Sequence, residues 1–314
     1  MISLFSRWFR VAYTSPFLLL TLAPLFWSYN WIVGRAVHTQ VPPLTMTFLR
    51  WFFAVLILAP FSLPHVRREW PIVRRHWKKL VFLGALGIGT HNALAYIGLN
   101  YTTATNGLIL NSFIPVMIVS MSWLFLGERL SAVQLVGVGI SFVGVLAILS
   151  HGEIATLASF RPNVGDLLVI LSMAMWSVYT ISLRHRPSGL HMLTFLFTLA
   201  CIGDLCMLPL FLGEVALGRR MVVSAANLGL VLSVGLFSSV LAYIFWNRGV
   251  QLVGANVAGL FAHLMPAFGV IMAWLFLDEE ISLYHIVGIG LILTGIFITS
   301  RLGQRSAPAA AGTD

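Results

Sequence analysis

The run from Pro115 to Gly144 returns, in order, between Pro266 and Gly295. At an offset of 151 residues, thirteen of these thirty positions are identical. The block Trp123-Leu124-Phe125-Leu126 with Glu128 is matched by Trp274-Leu275-Phe276-Leu277 with Glu279, and Gly137, Gly139 and Gly144 recur as Gly288, Gly290 and Gly295. An earlier match at offset 147 pairs Leu94–Ile97 and Asn100 with Leu241–Ile244 and Asn247, and Trp27-Ser28 matches Trp176-Ser177 at offset 149. Such a repeat confines the chain to folds made of two copies of one unit.

Composition says which solvent the two copies occupy. Charged residues are 9% of the chain and hydrophobic residues 59%, with a mean hydropathy of +0.92. A soluble domain carries about a quarter charged residues, so this chain cannot clothe itself in a hydrated surface. Ten stretches reach the roughly 20 apolar residues that cross a bilayer core: 16–34, 44–63, 79–99, 106–126, 132–150, 164–184, 190–212, 226–247, 255–277 and 283–300. Arg7 and Arg10 ahead of the first stretch resemble the start of a signal peptide. The Trp27–Trp176 match instead makes that stretch the first helix of the repeat. Cys201 and Cys206 lie five apart in segment seven, off a shared helical face, and read as apolar side chains.

The net charge of +9 follows topology rather than a nucleic-acid surface. With the N-terminus in the cytoplasm, fourteen Lys and Arg fall at inward ends and loops, against four (Arg35, Arg161, Arg219, Arg220) outside. That bias places both termini in the cytoplasm and the protein in a cell inner membrane. The polar stretch 151–163 then connects a first half, 1–150, to a second, 164–302, with 303–314 as a disordered cytoplasmic tail. Five spans per half is an odd number, so the second half enters the membrane from the opposite side. The expected fold is an all-α membrane protein of ten transmembrane helices in two inverted five-helix repeats, a symmetry suited to alternating access.

Two five-helix halves, each with a mid-helix proline, a W-L-F-L-x-E block and a glycine-rich last helix, resemble the drug/metabolite transporter superfamily, in particular its ten-helix EamA-type members. The resemblance covers about residues 12–302. It implies export or exchange of small metabolites, with segments two, five, seven and ten toward the periphery. The aromatic residues described next make the chain most similar to exporters of aromatic and other neutral amino acids. The second half departs from the pattern with Asp278 and Glu280, where the first has Gly127 and Arg129.

Depth and polarity select the candidate lining. At about 1.5 Å per residue, Trp27 and Trp176 lie roughly 17–18 Å along their helices, near the midplane, where tryptophan is otherwise uncommon. His91 and Asn92 share that depth, with Ser238 and Ser239 as counterparts. Asn111, Ser112 and His263 extend a polar midsection that must meet protein or water. Tyr96, Tyr101, Tyr179, Tyr243 and Trp246 can stack on an apolar substrate or simply pack. Pro115 and Pro266 each free a carbonyl, which can take a substrate ammonium; the kink can equally be a hinge or a fixed bend. Arg50 and Asp204 are the intramembrane charges. An ion pair between them is expected, with Arg50 as a carboxylate anchor and Asp204 as a proton site the functional alternative. Gly137-x-x-x-Ser141 and Gly290-x-x-x-Thr294 suit close helix packing, between halves or in a dimer.

Enzyme signatures such as HExxH, GxSxG or a phosphate-binding glycine loop are absent from the sequence, and the loop histidines have no metal-site spacing. No cofactor, metal or nucleic acid is expected. The expected partners are the lipid bilayer and a small-molecule substrate; a homodimer is possible, although a monomer suffices. The reading is a carrier exporting small apolar metabolites, chiefly aromatic and neutral amino acids. Export of hydrophobic drugs or cations, or a facilitative channel, are the alternatives.

Overall fold

A computed structural model describes residues 14–102, 107, 110–153, 155, 162–277 and 280–302. Asp278, Glu279, Arg161 and the tail 303–314 lie outside the described residues. The described chain is helical throughout, and nine of its helices are long and apolar enough to span a bilayer. In chain order they are α1 (Pro16–Ala36), α2 (Pro43–Arg75), α3 (Trp77–Leu99), α5 (Ala132–Leu149), α6 (Val164–His185), α7 (Met192–Ala216), α8 (Ala225–Val253), α9 (Ala255–Phe276) and α10 (Leu283–Ser300). The shorter apolar helix α4 (Ile114–Leu126) completes the ten.

Two boundaries differ from the sequence reading. Helix α2 runs three turns past residue 63 and keeps Pro60, Pro64 and Pro71 inside it. Its polar extension carries Arg74 and Arg75 in the last turn. Helix α4 begins only at Ile114, after a turn at Ser112 and Phe113, so Pro115 stands in a helix's first turn rather than mid-helix. Proline is favoured there because its missing N–H has no partner to lose. In α9 the same role falls to a 3-10 turn, Phe261–His263, just ahead of Pro266.

The packing shows the repeat symmetry directly. Helix α1 packs on α8 and α9, and its counterpart α6 packs on α3 and α4. Helix α2 packs on α8 as α7 does on α3, while the counterparts α2–α7, α4–α9 and α5–α10 meet one another. At the α5–α10 seam, a Cβ on Gly144 would stand 2.6 Å from Gly288 O, and one on Gly288 2.7 Å from Gly144 O. Gly137 and Gly295 face each other in the same way. Residues 137 and 144 thus oppose 295 and 288, so equivalent helices run antiparallel and the halves are inverted. Only glycine permits backbones this close. Gly290 has open space beside it and Thr294 is exposed, so the second small-residue pair lies off the seam.

Helices α2 and α7 clasp each other by exchanged caps. Glu214 near the end of α7 accepts from Thr45 N at 2.6 Å and Thr45 Oγ1 at 2.8 Å, at the start of α2. Glu69 near the end of α2 accepts from His191 N at 2.9 Å, at the start of α7. Each carboxylate satisfies an N-terminal donor that its helix leaves unpaired.

Side chains are sorted for lipid. The repeated blocks point outward: Trp123, Leu124 and Phe125, like Trp274, Leu275 and Phe276, are more than half exposed. The interior instead holds Ser28, Thr47, Arg50, Asn92, Ser141, Ser172, Ser177, Ser238, Ser239, Asn247 and His263. The repeat's longest identical stretch is therefore a lipid-facing surface, not a site.

Candidate functional site

A cavity of about 110 Å³ opens inside the bundle. That is room for roughly four waters at about 30 Å³ each. Its wall includes Trp27, Asn30 and Trp31 from α1, Arg50 from α2, and His91, Asn92, Tyr96 and Leu99 from α3. Asn111 precedes α4, Met173 and Trp176 come from α6, Tyr243 from α8 and Met265 from α9.

Two irregular turns immediately precede the cavity residues of α3 and α8. Helix α3 widens to a π-helix over Ala85–Thr90, and α8 does so over Gly235–Leu241. A π turn shifts the hydrogen-bond ladder by one residue and recurs at functional positions. Here its carbonyls accept from the cavity aromatics. Trp27 Nε1 donates to Ser238 O at 3.2 Å, and Tyr243 Oη donates to Gly87 O at 3.0 Å. Asn92 Nδ2 donates to Ile88 O at 2.6 Å. His91 Nδ1 lies 3.0 Å from Ser172 O, and Ser172 Oγ donates back to His91 O at 2.8 Å.

The two repeat-equivalent tryptophans, Trp27 and Trp176, meet edge to face with centroids 5.3 Å apart. Trp176 also sits 5.5 Å from Tyr243 and 5.1 Å from His91. Beneath them, Trp246 lies 5.2 Å from Trp27 and Tyr179 lies 5.3 Å from Trp176. Trp246 and Tyr179 are fully buried, and Tyr179 Oη donates to Asn247 Oδ1 at 2.9 Å. These two expected lining residues form a floor rather than a wall. Tyr101 is exposed at the end of α3 and takes no part.

His263 is likewise structural. It is buried, with Nδ1 2.7 Å from Ser141 Oγ and Nε2 2.9 Å from Ser112 O. This bond ties the turn ahead of α4 to α9. Pro115 and Pro266 shape the helix breaks but do not line the cavity.

The expected Arg50–Asp204 ion pair is not formed. Antiparallel packing of α2 and α7 leaves Arg50 directed to α3 and α8, where NH2 donates to Asn92 Oδ1 at 2.7 Å and NH1 to Ser239 Oγ at 3.4 Å. Asp204 lies outside the cavity, with Oδ1 buried and unbonded. Segment two is therefore not merely peripheral. It also supplies Trp51, absent from the sequence reading, which is fully buried and meets Tyr243 edge-on at 4.8 Å. Trp51 lies seven residues inside segment two, and depth alone does not say whether its ring faces lipid or the interior.

The cavity lining extends to Trp31 and Leu99, where α1 and α3 finish and Trp31 is exposed, and toward the other end it stops short of the fully buried Tyr179 and Trp246. At the other end, Glu128 after α4 pairs with Arg184 at the end of α6 and accepts from Ser122 Oγ at 2.9 Å.

Ten apolar helices in inverted halves around an internal cavity have the architecture of a membrane transporter. The chain belongs to the EamA-like transporter family, which it matches over residues 14–150 and again over 163–301. It is similar to the uncharacterized transporter YetK of Bacillus subtilis, 27% identical over 85% of this chain and 81% of that one. It is also similar to the uncharacterized transporter YyaM of the same organism, 26% identical over 73% and 74%. Protein PecM of Dickeya dadantii is 25% identical over 89% of this chain and 90% of its own. A solved crystal structure shares the fold at a TM-score of 0.76 and 19% identity, covering 94% of this chain and 98% of the other.

Proposed function

We propose that this protein exports small, largely apolar metabolites, foremost aromatic and other neutral amino acids, by alternating access. The observation that carries the reading is the midplane cavity, with Trp27, Trp176 and Tyr243 as apolar walls beside the amides of Asn30, Asn92 and Asn111. Aromatic faces give stacking area, and amides can hold a zwitterionic end. The cationic-drug alternative is disfavoured because the lining contains Arg50 and no Asp or Glu.

Alternating access is supported by how the repeat's equivalent residues differ. At the closed end Tyr179 bonds Asn247, over which Trp246 is fully buried. Their repeat mates, at offsets 149 and 147, are Asn30, Asn100 and Leu99 at the mouth. Among the described residues, the Asn100 side chain bonds Tyr96 O in its own helix and Asn30 Oδ1 has no partner. In an inverted repeat, exchanging the conformations of the two halves brings the second set together and separates the first. With positive residues inside, the mouth is external, the membrane is the inner one, and the halves 1–150 and 164–302 are the moving units.

Counterflow in proteoliposomes tests the function. Phenylalanine or methionine should exchange and cationic dyes should not; dye flux without amino-acid flux rejects the reading. Trp27→Ala or Trp176→Ala should lower exchange about tenfold, the scale of losing one stacked aromatic, with melting temperature near wild type. Loss of exchange only together with unfolding would assign both rings to packing. A cysteine at Ser188 should label from the cytoplasm, and labelling from outside would reverse the topology.

A further inference from the structure

We propose that Arg50 is the receptor for a substrate carboxylate, and that a carboxylate, not an amine, is the polar group a substrate must carry. The inference rests on the carrier reading and narrows its substrate class.

Arg50 is 4% exposed yet borders the cavity. A guanidinium has five N–H donors and stays charged at any physiological pH. The bonds formed to Asn92 and Ser239 use NH2 and NH1, and Nε is buried without a partner. No carboxylate lies in the cavity lining, and among the described residues Arg50 makes no ion pair. A buried cation without a counter-ion is strongly unfavourable, and a structure that keeps one has a use for its charge.

The support around the guanidinium is neutral by construction. Asn92 gives its amide oxygen to Arg50, while its amide nitrogen is held by Ile88 O in the π turn. This fixes which end of the amide faces the cation. Ser239 adds a hydroxyl, and Trp51 adds a ring face 5.5 Å from Cζ. The group is thereby oriented but not neutralised, leaving donors for a bidentate carboxylate. By contrast, the acceptors for an ammonium are weak. Asn30 Oδ1 is a buried, unpartnered acceptor bordering the same cavity, and it carries no charge. A zwitterion fits, a plain arylalkyl carboxylate fits, and an arylalkyl amine meets only the repulsion of Arg50.

The test uses purified full-length protein, with binding followed by tryptophan fluorescence and exchange followed in proteoliposomes. The probes are phenylalanine, 3-phenylpropionate and 2-phenylethylamine. The two acids should bind and exchange, and the amine should do neither. Arg50→Lys keeps the charge but loses the fork, and should weaken acid binding about tenfold or more. Asn92→Asp places a carboxylate against the guanidinium and should weaken acid binding by a similar factor while the melting temperature is held or raised. This second variant keeps the question open to experiment if Arg50 variants fail to fold. Equal handling of amine and acids, or an unaltered acid affinity in Asn92→Asp, overturns the carboxylate assignment and leaves the carrier reading standing. Acid binding without exchange of any probe supports the receptor and overturns the carrier reading. Absence of both binding and exchange overturns both.

Discussion

The two ends of the bundle are built from the same repeat, yet one is shut and the other open. At the shut end Tyr179, Trp246 and Asn247 interlock, and Glu128 ties the end of α4 to the end of α6. At the open end their equivalents Asn30, Leu99 and Asn100 border or flank the cavity mouth. At one pair the difference is of arrangement alone, since Asn247 and Asn100 are identical amides with different partners, whereas Tyr179 against Asn30 and Trp246 against Leu99 differ in residue type as well. Where sequence is repeated and contacts are not, the asymmetry records the conformational state. Asn92 against Ser239 is an asymmetry of residue type at the site itself, where both bond Arg50.

The seam common to both ends should be the most sensitive place to disturb. Gly144→Leu adds a side chain where even a Cβ would stand 2.6 Å from Gly288 O. It should destabilise the protein by about 3 kcal/mol, seen as a lower melting temperature in detergent. An unchanged melting temperature would mean the seam is looser than described. A smaller effect is expected at the shut end alone. Tyr179→Phe removes the bond to Asn247, worth about 1 kcal/mol. In a background without Cys201 and Cys206, a cysteine at the buried Val250 should then be alkylated roughly five times faster. Asn100→Ala, which breaks only a bond within α3, should not raise that rate; if it did, the two amides would not be acting at opposite ends. The smallest effect belongs to Glu128→Gln. Both partners of its pair with Arg184 are substantially exposed, so alkylation at Val250 should rise by no more than about threefold. A larger rise would promote the ion pair from a trim to the main fastening.

Much of this was legible in sequence, for a physical reason. A bilayer demands long apolar stretches, so the ten spans could be counted, and an odd number of spans in each half implied the inversion. The same alignment made Trp27 and Trp176 equivalent and similar in depth; their contact is seen only in the structure. What stayed hidden depends on which face of a helix points inward. Helices that are apolar all round give no such face, so Trp51 could not be separated from lipid-facing neighbours, and Tyr179 and Trp246 could not be placed beneath the cavity rather than in its wall. The direction of Arg50 was hidden for the same reason, and its pairing with Asp204 failed because depth alone does not fix azimuth. Glu69 and Glu214 sit near span ends, where a charge usually meets water; their exchange of caps is visible only once α2 and α7 are seen side by side. The π turns have no residue signature at all.

The glycine seam also says something about ancestry. Gly137 meets Gly295 as Gly288 meets Gly144, so each half presents the same patch to the other, the self-complementary geometry of a two-fold dimer. A half-length protein bearing that patch could associate with a second copy inserted the other way up. It would then have to accept every substitution twice. Joining the halves in one chain removes that constraint: Ser141 can hold His263 while its mate is Ile292, and a single Arg50 can stand in the cavity without a twin to repel it. Fusion, on this view, preserved the symmetry of the scaffold and released the chemistry of its centre to diverge.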